Sequence, residues 1–206
     1  MSNFSFRASE VIALKNDFTD VYRFKIELQY IRPKIWREIE VPGNYSFWDL
    51  HVAIANVMGW YDYHLHQFTI EDPDTGDDVM LFQPDDEGLD WGIETRDDHE
   101  EKIADYFSMD NWTCEYEYDF GDSWKHLIIL DRIKERDSSY FYPLFLDGWG
   151  TCPPEDVGGP GGYKTFLKVL EDPENLEHDH YKSWVGWNFD PDAFNPQQVT
   201  FSDPEK

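Results

Sequence analysis

The chain has 206 residues, a length that suits one domain, and 40% of them are hydrophobic, including nine Trp, twelve Tyr and fifteen Phe. Aromatic side chains bury about 150–250 Å² each, so a substantial core is available and a wholly disordered chain is excluded. Forty-three acidic residues against 17 basic ones give a formal net charge of −26, which argues against direct nucleic-acid binding and against binding to a membrane surface.

The elements follow in chain order. Residues 1–18 show no firm period and read as an N-terminal arm ahead of a domain spanning 19–201. Tyr22, Phe24, Ile26 and Leu28 alternate with polar residues, the mark of a half-buried strand. Arg32-Pro33 interrupts it, and a second strand runs from Ile35 to Val41. Ser46 and Asp49 form a capping box ahead of a helix over 47–58, with Phe47, Leu50, Ile54 and Val57 at helical spacing. Gly59 is placed to end that helix in a left-handed turn.

His64 to Ile70 reads as a strand. Residues 71–101 then carry fourteen acids and a single Arg96. They read as an acidic insertion with a short strand at Val79–Phe82 and a long loop from Gln83 to Glu100. Lys102–Phe107 suits one helical turn. Thr113–Phe120 and Trp124–Ile133 read as the arms of a β-hairpin turning at Gly121-Asp122. A short strand is predicted at Pro143–Leu146, and Cys152–Gly162 is a Pro/Gly-rich shaped loop. Two more helices are predicted, one through Tyr163, Phe166 and Leu170 and one near Leu176–Trp184. The mixture lacks a regular strand–helix alternation, so the expected fold is α+β: a single-domain roll of mixed or antiparallel sheet packed with about three helices.

Cys114 and Cys152 form no Cys-x-x-Cys pair and give no disulfide framework. The first residues lack the apolar stretch of a signal peptide, and the run Leu127–Leu130 is far shorter than the roughly 20 residues of a membrane span. A cytoplasmic setting is expected. The acidic excess reads as a solvated surface, as a docking face for a basic partner, or as a nucleic-acid mimic.

Several motifs occur together and in order: Ile31-Arg32-Pro33-Lys34-Ile35-Trp36-Arg37, Met58-Gly59-Trp60, His64-Leu65-His66-Gln67-Phe68, Tyr116 to Trp124, and Cys152-Pro153-Pro154-Glu155-Asp156-Val157-Gly158-Gly159-Pro160-Gly161-Gly162-Tyr163. In these the chain resembles the plasmid pRiA4b ORF-3-like family, also labelled as the passenger protein of an insertion element, over roughly residues 20–200. The resemblance implies a compact α+β roll and a role beside mobile elements. It brings no serine-recombinase chemistry, because this acidic chain offers no nucleophilic Ser supported by arginines.

The candidate pocket residues are Asp119, Asp122, Trp124, His126, Glu155 and Asp156, grouped on the hairpin and the Cys-Pro-Pro loop. His64 and His66, two apart on one strand, would point the same way about 6–7 Å apart, a spacing compatible with a shared divalent metal. The competing reading makes His64 an exposed residue and His66 a hydrogen-bonded imidazole at the edge of the core. Gly158 to Thr165 misses a phosphate loop, since Tyr163 stands where glycine must precede the lysine. Asp119-Phe120-Gly121 matches a kinase magnesium motif in letters only. The function expected is a non-catalytic module that binds a protein or small-molecule partner and needs no cofactor. The alternative is a metal-dependent hydrolase or nucleic-acid-processing enzyme built on His64, His66 and the nearby acids.

Overall fold

The computed structural model describes residues 17–83 and 92–204. The predicted arm lies outside the described residues except for its last two, as does the middle of the predicted acidic loop. The fold is α+β, as the mixture of elements predicts. Among the described residues, eight strands form one sheet in the order β5-β4-β3-β6-β7-β1-β2-β8. They are β1 (Asp20–Leu28), β2 (Trp36–Pro42), β3 (His66–Glu71), β4 (Asp78–Phe82), β5 (Glu94–Asp97), β6 (Thr113–Tyr118), β7 (Trp124–Glu135) and β8 (Leu144–Trp149). Every neighbouring pair is antiparallel except β4 and β5, which run parallel. The helices are α1 (Phe47–Met58), α2 (Ile103–Tyr106), α3 (Gly159–Glu171) and α4 (His178–Val185), with a 3-10 turn at Pro196–Gln198.

Period-2 alternation divides the sheet into two unlike faces. Phe68, Tyr116, His126 and Leu28 are register partners across β3, β6, β7 and β1, and all four are buried. The other face carries charge in pairs, such as Arg23 with Glu38 at 2.5 Å, Lys25 with Glu27 at 2.7 Å and Lys134 with Glu40 at 2.7 Å. The apolar face is covered by α1. Phe47 at its start meets Phe68 edge-on with ring centroids 5.1 Å apart, and Phe107 fills the gap to Phe24. The capping box forms as predicted: the Asp49 N–H donates to Ser46 Oγ, and the Ser46 N–H donates to Asp49 Oδ2. Gly59 closes the helix at φ 86°.

Three local expectations change. The stretch read as one long acidic loop contains β5, whose sequence Glu-Thr-Arg-Asp lacks any apolar signal. It is held instead by parallel pairing to β4 and by Arg96, which binds Asp72 and the Tyr106 hydroxyl. The last long helix starts at Gly159, four residues ahead of the first apolar marker, because Pro160 fits a first helical turn where no N–H is needed. The third strand starts at His66, which leaves His64 in a bend before it.

Candidate functional site

The end of α1 builds one wall of the site. Trp60 follows Gly59 and stacks on Tyr118 with ring centroids 4.9 Å apart and planes 17° apart. Its indole N–H donates to Pro153 O at 3.0 Å, which anchors the Cys-Pro-Pro loop to the helix end. The hairpin grips the same loop from the other side. The Gly158 N–H donates to Asp122 Oδ2 at 3.0 Å, and a Cβ on Gly159 would lie 2.2 Å from Asp122 O. The aromatic hairpin and the Pro/Gly bend therefore touch through their backbones.

Between the helix end, this loop and the C-terminal tail lies an open cleft of about 920 Å³. Its lining includes Trp60, Tyr61, Tyr63 and residues 152–156 together with Trp184, Phe189 and Phe194. Tyr61 and Tyr63 stack on each other at 5.6 Å while remaining 70% and 77% exposed. The buried Arg37 forms part of the floor. Its guanidinium donates to the carbonyls of Val57, Trp36, Trp149 and Gly150 and to Cys152 Sγ, and Phe194 covers it at 3.8 Å.

A second, polar corner adjoins the cleft through Glu155 and Asp156. His64 Nε2 faces Asp119 Oδ2 at 3.6 Å, Glu155 Oε2 at 3.4 Å and Asp156 Oδ1 at 3.4 Å. Asp119 sits at φ 59°, and its Oδ1 accepts from the N–H groups of Gly121 and Asp122, an Asx-type turn that orients the carboxylate. Glu155 Oε1 accepts from the Tyr61 N–H at 2.7 Å and lies 3.2 Å from the Tyr118 hydroxyl. Burial, and then Glu155, raise the Tyr118 pKa, so that hydroxyl stays protonated and donates.

Of the predicted pocket residues, Asp119, Glu155 and Asp156 converge at this corner. Asp122 binds the loop backbone instead. Trp124 is buried beneath Trp60, at 6.2 Å, and Tyr163. His126 is 1% exposed between Trp60 and Tyr116, and neither ring nitrogen finds a hydrogen-bond partner. Burial pushes its pKa down to about 3, against weaker opposing influence from the main chain of Tyr116 and Trp124. A neutral, enclosed imidazole cannot reach a ligand, so His126 belongs to the core.

The two histidines expected to share a ligand are separated by the start of β3. His66 points into the core and meets Asp98 Oδ2 at 2.7 Å. Burial lowers its pKa to about 4, with Asp98 opposing. Its ring lies on that of His51 at 3.5 Å and 5°. His51 in turn bridges the Tyr116 hydroxyl at 2.8 Å and Asp62 Oδ1 at 2.7 Å. Sequence reasoning missed His51, Asp62 and Asp98. The available signal was His51 itself, an imidazole one residue from Leu50 on the apolar stripe of α1. Tyr61 and Tyr63 were also missed, because exposed rings in an irregular segment show no period.

An eight-stranded mixed sheet with one covered face, carrying a hairpin-clamped Pro/Gly loop and a cleft at the same end, defines the class of protein: an α+β domain elaborated at one end of its sheet. The chain belongs to the plasmid pRiA4b ORF-3-like protein family, whose model matches residues 20–198. It is 33% identical over 180 residues to the uncharacterized protein y4hQ of Sinorhizobium fredii (strain NBRC 101917 / NGR234), covering 87% of this chain and 88% of that one. It is also similar to the crystal structure of a protein of unknown function, MM3350 from Methanosarcina mazei Go1. The TM-score is 0.83 and the identity 40%, over 89% of this chain and 99% of the other. Among the described residues, no helix is long and apolar enough to cross a membrane.

Proposed function

We propose that the protein is a binding module whose cleft takes a Lys- or Arg-bearing segment of a partner protein. The observation that carries this reading is the pairing of two exposed, mutually stacked tyrosines with an acidic loop in the cleft lining. Rings held in this way offer flat apolar area and cation–π contact at little entropic cost. Glu155 and Asp156 add the charge that a basic segment complements, and the net charge of −26 steers such partners toward the molecule. The family's implied association with mobile elements would make that partner a basic nucleic-acid-handling protein and not the nucleic acid itself.

The test uses full-length protein, in the presence of chelator, titrated against fluorescein-labelled decapeptides. One set carries Lys, Arg and a single aromatic residue, and a matched set replaces the basic residues with Asp. The basic set is expected to bind, to weaken as salt rises, and to lose about tenfold in affinity when Tyr61→Ala and Tyr63→Ala are combined. Equal binding of the acidic set, no binding of the basic set, or affinity untouched by the double substitution would overturn the reading.

A further inference from the structure

We propose that His64, Asp119 and Asp156 form a site for a first-row divalent cation such as zinc, with Glu155 beside them. The inference stands on this corner alone and does not depend on peptide binding in the cleft. One donor atom from each of the three ligands falls within 4.8 Å of the others. They come from three separate parts of the chain: the bend before β3, the turn between β6 and β7, and the Cys-Pro-Pro loop.

The distances decide between a hydrogen-bonded cluster and a cation site. Elsewhere in this protein, an imidazole beside a carboxylate closes to hydrogen-bonding distance. His51 meets Asp62 at 2.7 Å and His66 meets Asp98 at 2.7 Å. His64 Nε2 has three carboxylates to choose from and closes on none, standing off at 3.4, 3.4 and 3.6 Å. Ligands bound to zinc at about 2.0–2.1 Å in a tetrahedron lie about 3.3–3.4 Å from one another. The separations from His64 to Glu155 and Asp156 equal such an edge, the one to Asp119 is slightly longer, and all three are too long for good hydrogen bonds.

Charge and orientation agree. Asp119 and Glu155 have side chains only 10% and 14% exposed, and together with Asp156 they face one imidazole. Among the described residues, no lysine or arginine pairs with any of the three acids. Three carboxylates against at most one imidazolium leave a negative balance that a dication offsets. Asp119 has one oxygen held by N–H donors while the other faces His64, the kind of support that orients a ligating carboxylate, and Glu155 is held by the Tyr61 N–H and by the Tyr118 hydroxyl, which reaches both of its oxygens. One imidazole with carboxylates suits zinc, manganese or cobalt better than calcium, which takes oxygen ligands alone, or copper(I), which favours sulfur. Asp156 is 77% exposed, so the ion has a path in from solvent.

The experiment uses chelator-treated full-length protein titrated with Zn²⁺ by calorimetry and followed by thermal melting. Co²⁺ serves as a visible probe of tetrahedral geometry. One equivalent is expected to bind and to raise the melting temperature. His64→Ala and, separately, Asp156→Asn are expected to weaken binding by about tenfold or more. His99→Ala, beside the other close carboxylate–histidine group at Asp97 and Asp98, is expected to leave binding unchanged. Failure of the wild-type protein to bind Zn²⁺ or Co²⁺, or binding that survives His64→Ala and is lost in His99→Ala, would overturn the proposal. Should His64→Ala fail to fold, the exposed Asp156→Asn still decides: unchanged affinity there refutes the site.

Discussion

Two adjacent glycines just past the loop that carries Glu155 and Asp156 should respond to the same substitution very differently. Gly161 and Gly162 both lie in the first turn of α3. A Cβ on Gly161 meets nothing within 4 Å, so alanine there lowers the entropy of the unfolded chain and gains up to about 1 kcal/mol. A Cβ on Gly162 would stand 2.0 Å from Val157 O and 2.9 Å from Val157 C. Side-chain carbons essentially never approach an oxygen closer than 3.0 Å, so the Val157 carbonyl must retreat by about 1 Å. That carbonyl is backbone, fixed between the Trp60–Pro153 anchor and the Asp122–Gly158 clamp. Overpacking at such a point costs about 1–3 kcal/mol. The unfolded-chain gain is common to both substitutions, so the two variants should differ by the overpacking cost, about 1–3 kcal/mol, or roughly 2–12 °C in melting temperature for a domain of this size. Urea titration followed by tryptophan fluorescence measures the gap. If Gly162→Ala proves as stable as Gly161→Ala, the close backbone approach of loop and helix is wrong, and with it the placement of Glu155 and Asp156.

Acid should destabilise the protein before its carboxylates titrate. The folded pKa values of His66 and His126, about 4 and about 3, lie below the ordinary 6.5. The unfolded chain therefore binds more protons between those values. Each imidazole contributes stability present above pH 6.5 and lost as pH falls toward 4 for His66 and 3 for His126, at roughly 1 kcal/mol per pH unit. Urea midpoints measured from neutral pH down to pH 5 should show this fall, and His126→Phe should reduce its slope by about half. Arg37→Leu should cost about 3 kcal/mol or more, because it strands four carbonyls that the guanidinium satisfies; Arg37→Lys, lacking the fork, should recover little, both read from denaturation midpoints. Ser46→Ala should cost about 1 kcal/mol in the same assay, because it removes one half of the capping box on α1.

The fold was legible wherever periodicity and punctuation act locally. The helix over 47–58 is fixed by an apolar stripe between Ser46 and Gly59, and the structure reproduces both ends. The hairpin arms are fixed by Tyr-Glu-Tyr alternation, and β6 and β7 pair through Tyr118 and Trp124 at the turn. Long-range pairing left no such trace. Strand β5 is made of four polar residues and exists only because β4 lies alongside it. The order that places β1 between β7 and β2 likewise depends on partners about a hundred residues apart in β1 and β7. Nothing in a local window reports that closure.

The site shows the same division at finer grain. Asp119, Glu155 and Asp156 could be grouped because each sits in a turn-forming stretch where side chains must face outward or cap backbone. His126 could not be told from them, since its position in the strand was clear but the side of the sheet it served was not. Pairing with Leu28 and Tyr116 assigns it to the covered face, and the imidazole goes inward. His64 and His66 fail as a pair for a related reason. Alternation places i and i+2 on one side only inside a strand, and the strand begins at the second of them. Asp62 at φ 60° and the bend at His64 turn the chain before it enters the sheet. One imidazole is thereby committed to the stack with His51, and the other is released toward the hairpin tip and the loop. The break in regular structure that defeats the sequence pattern is what brings His64 to the three acids.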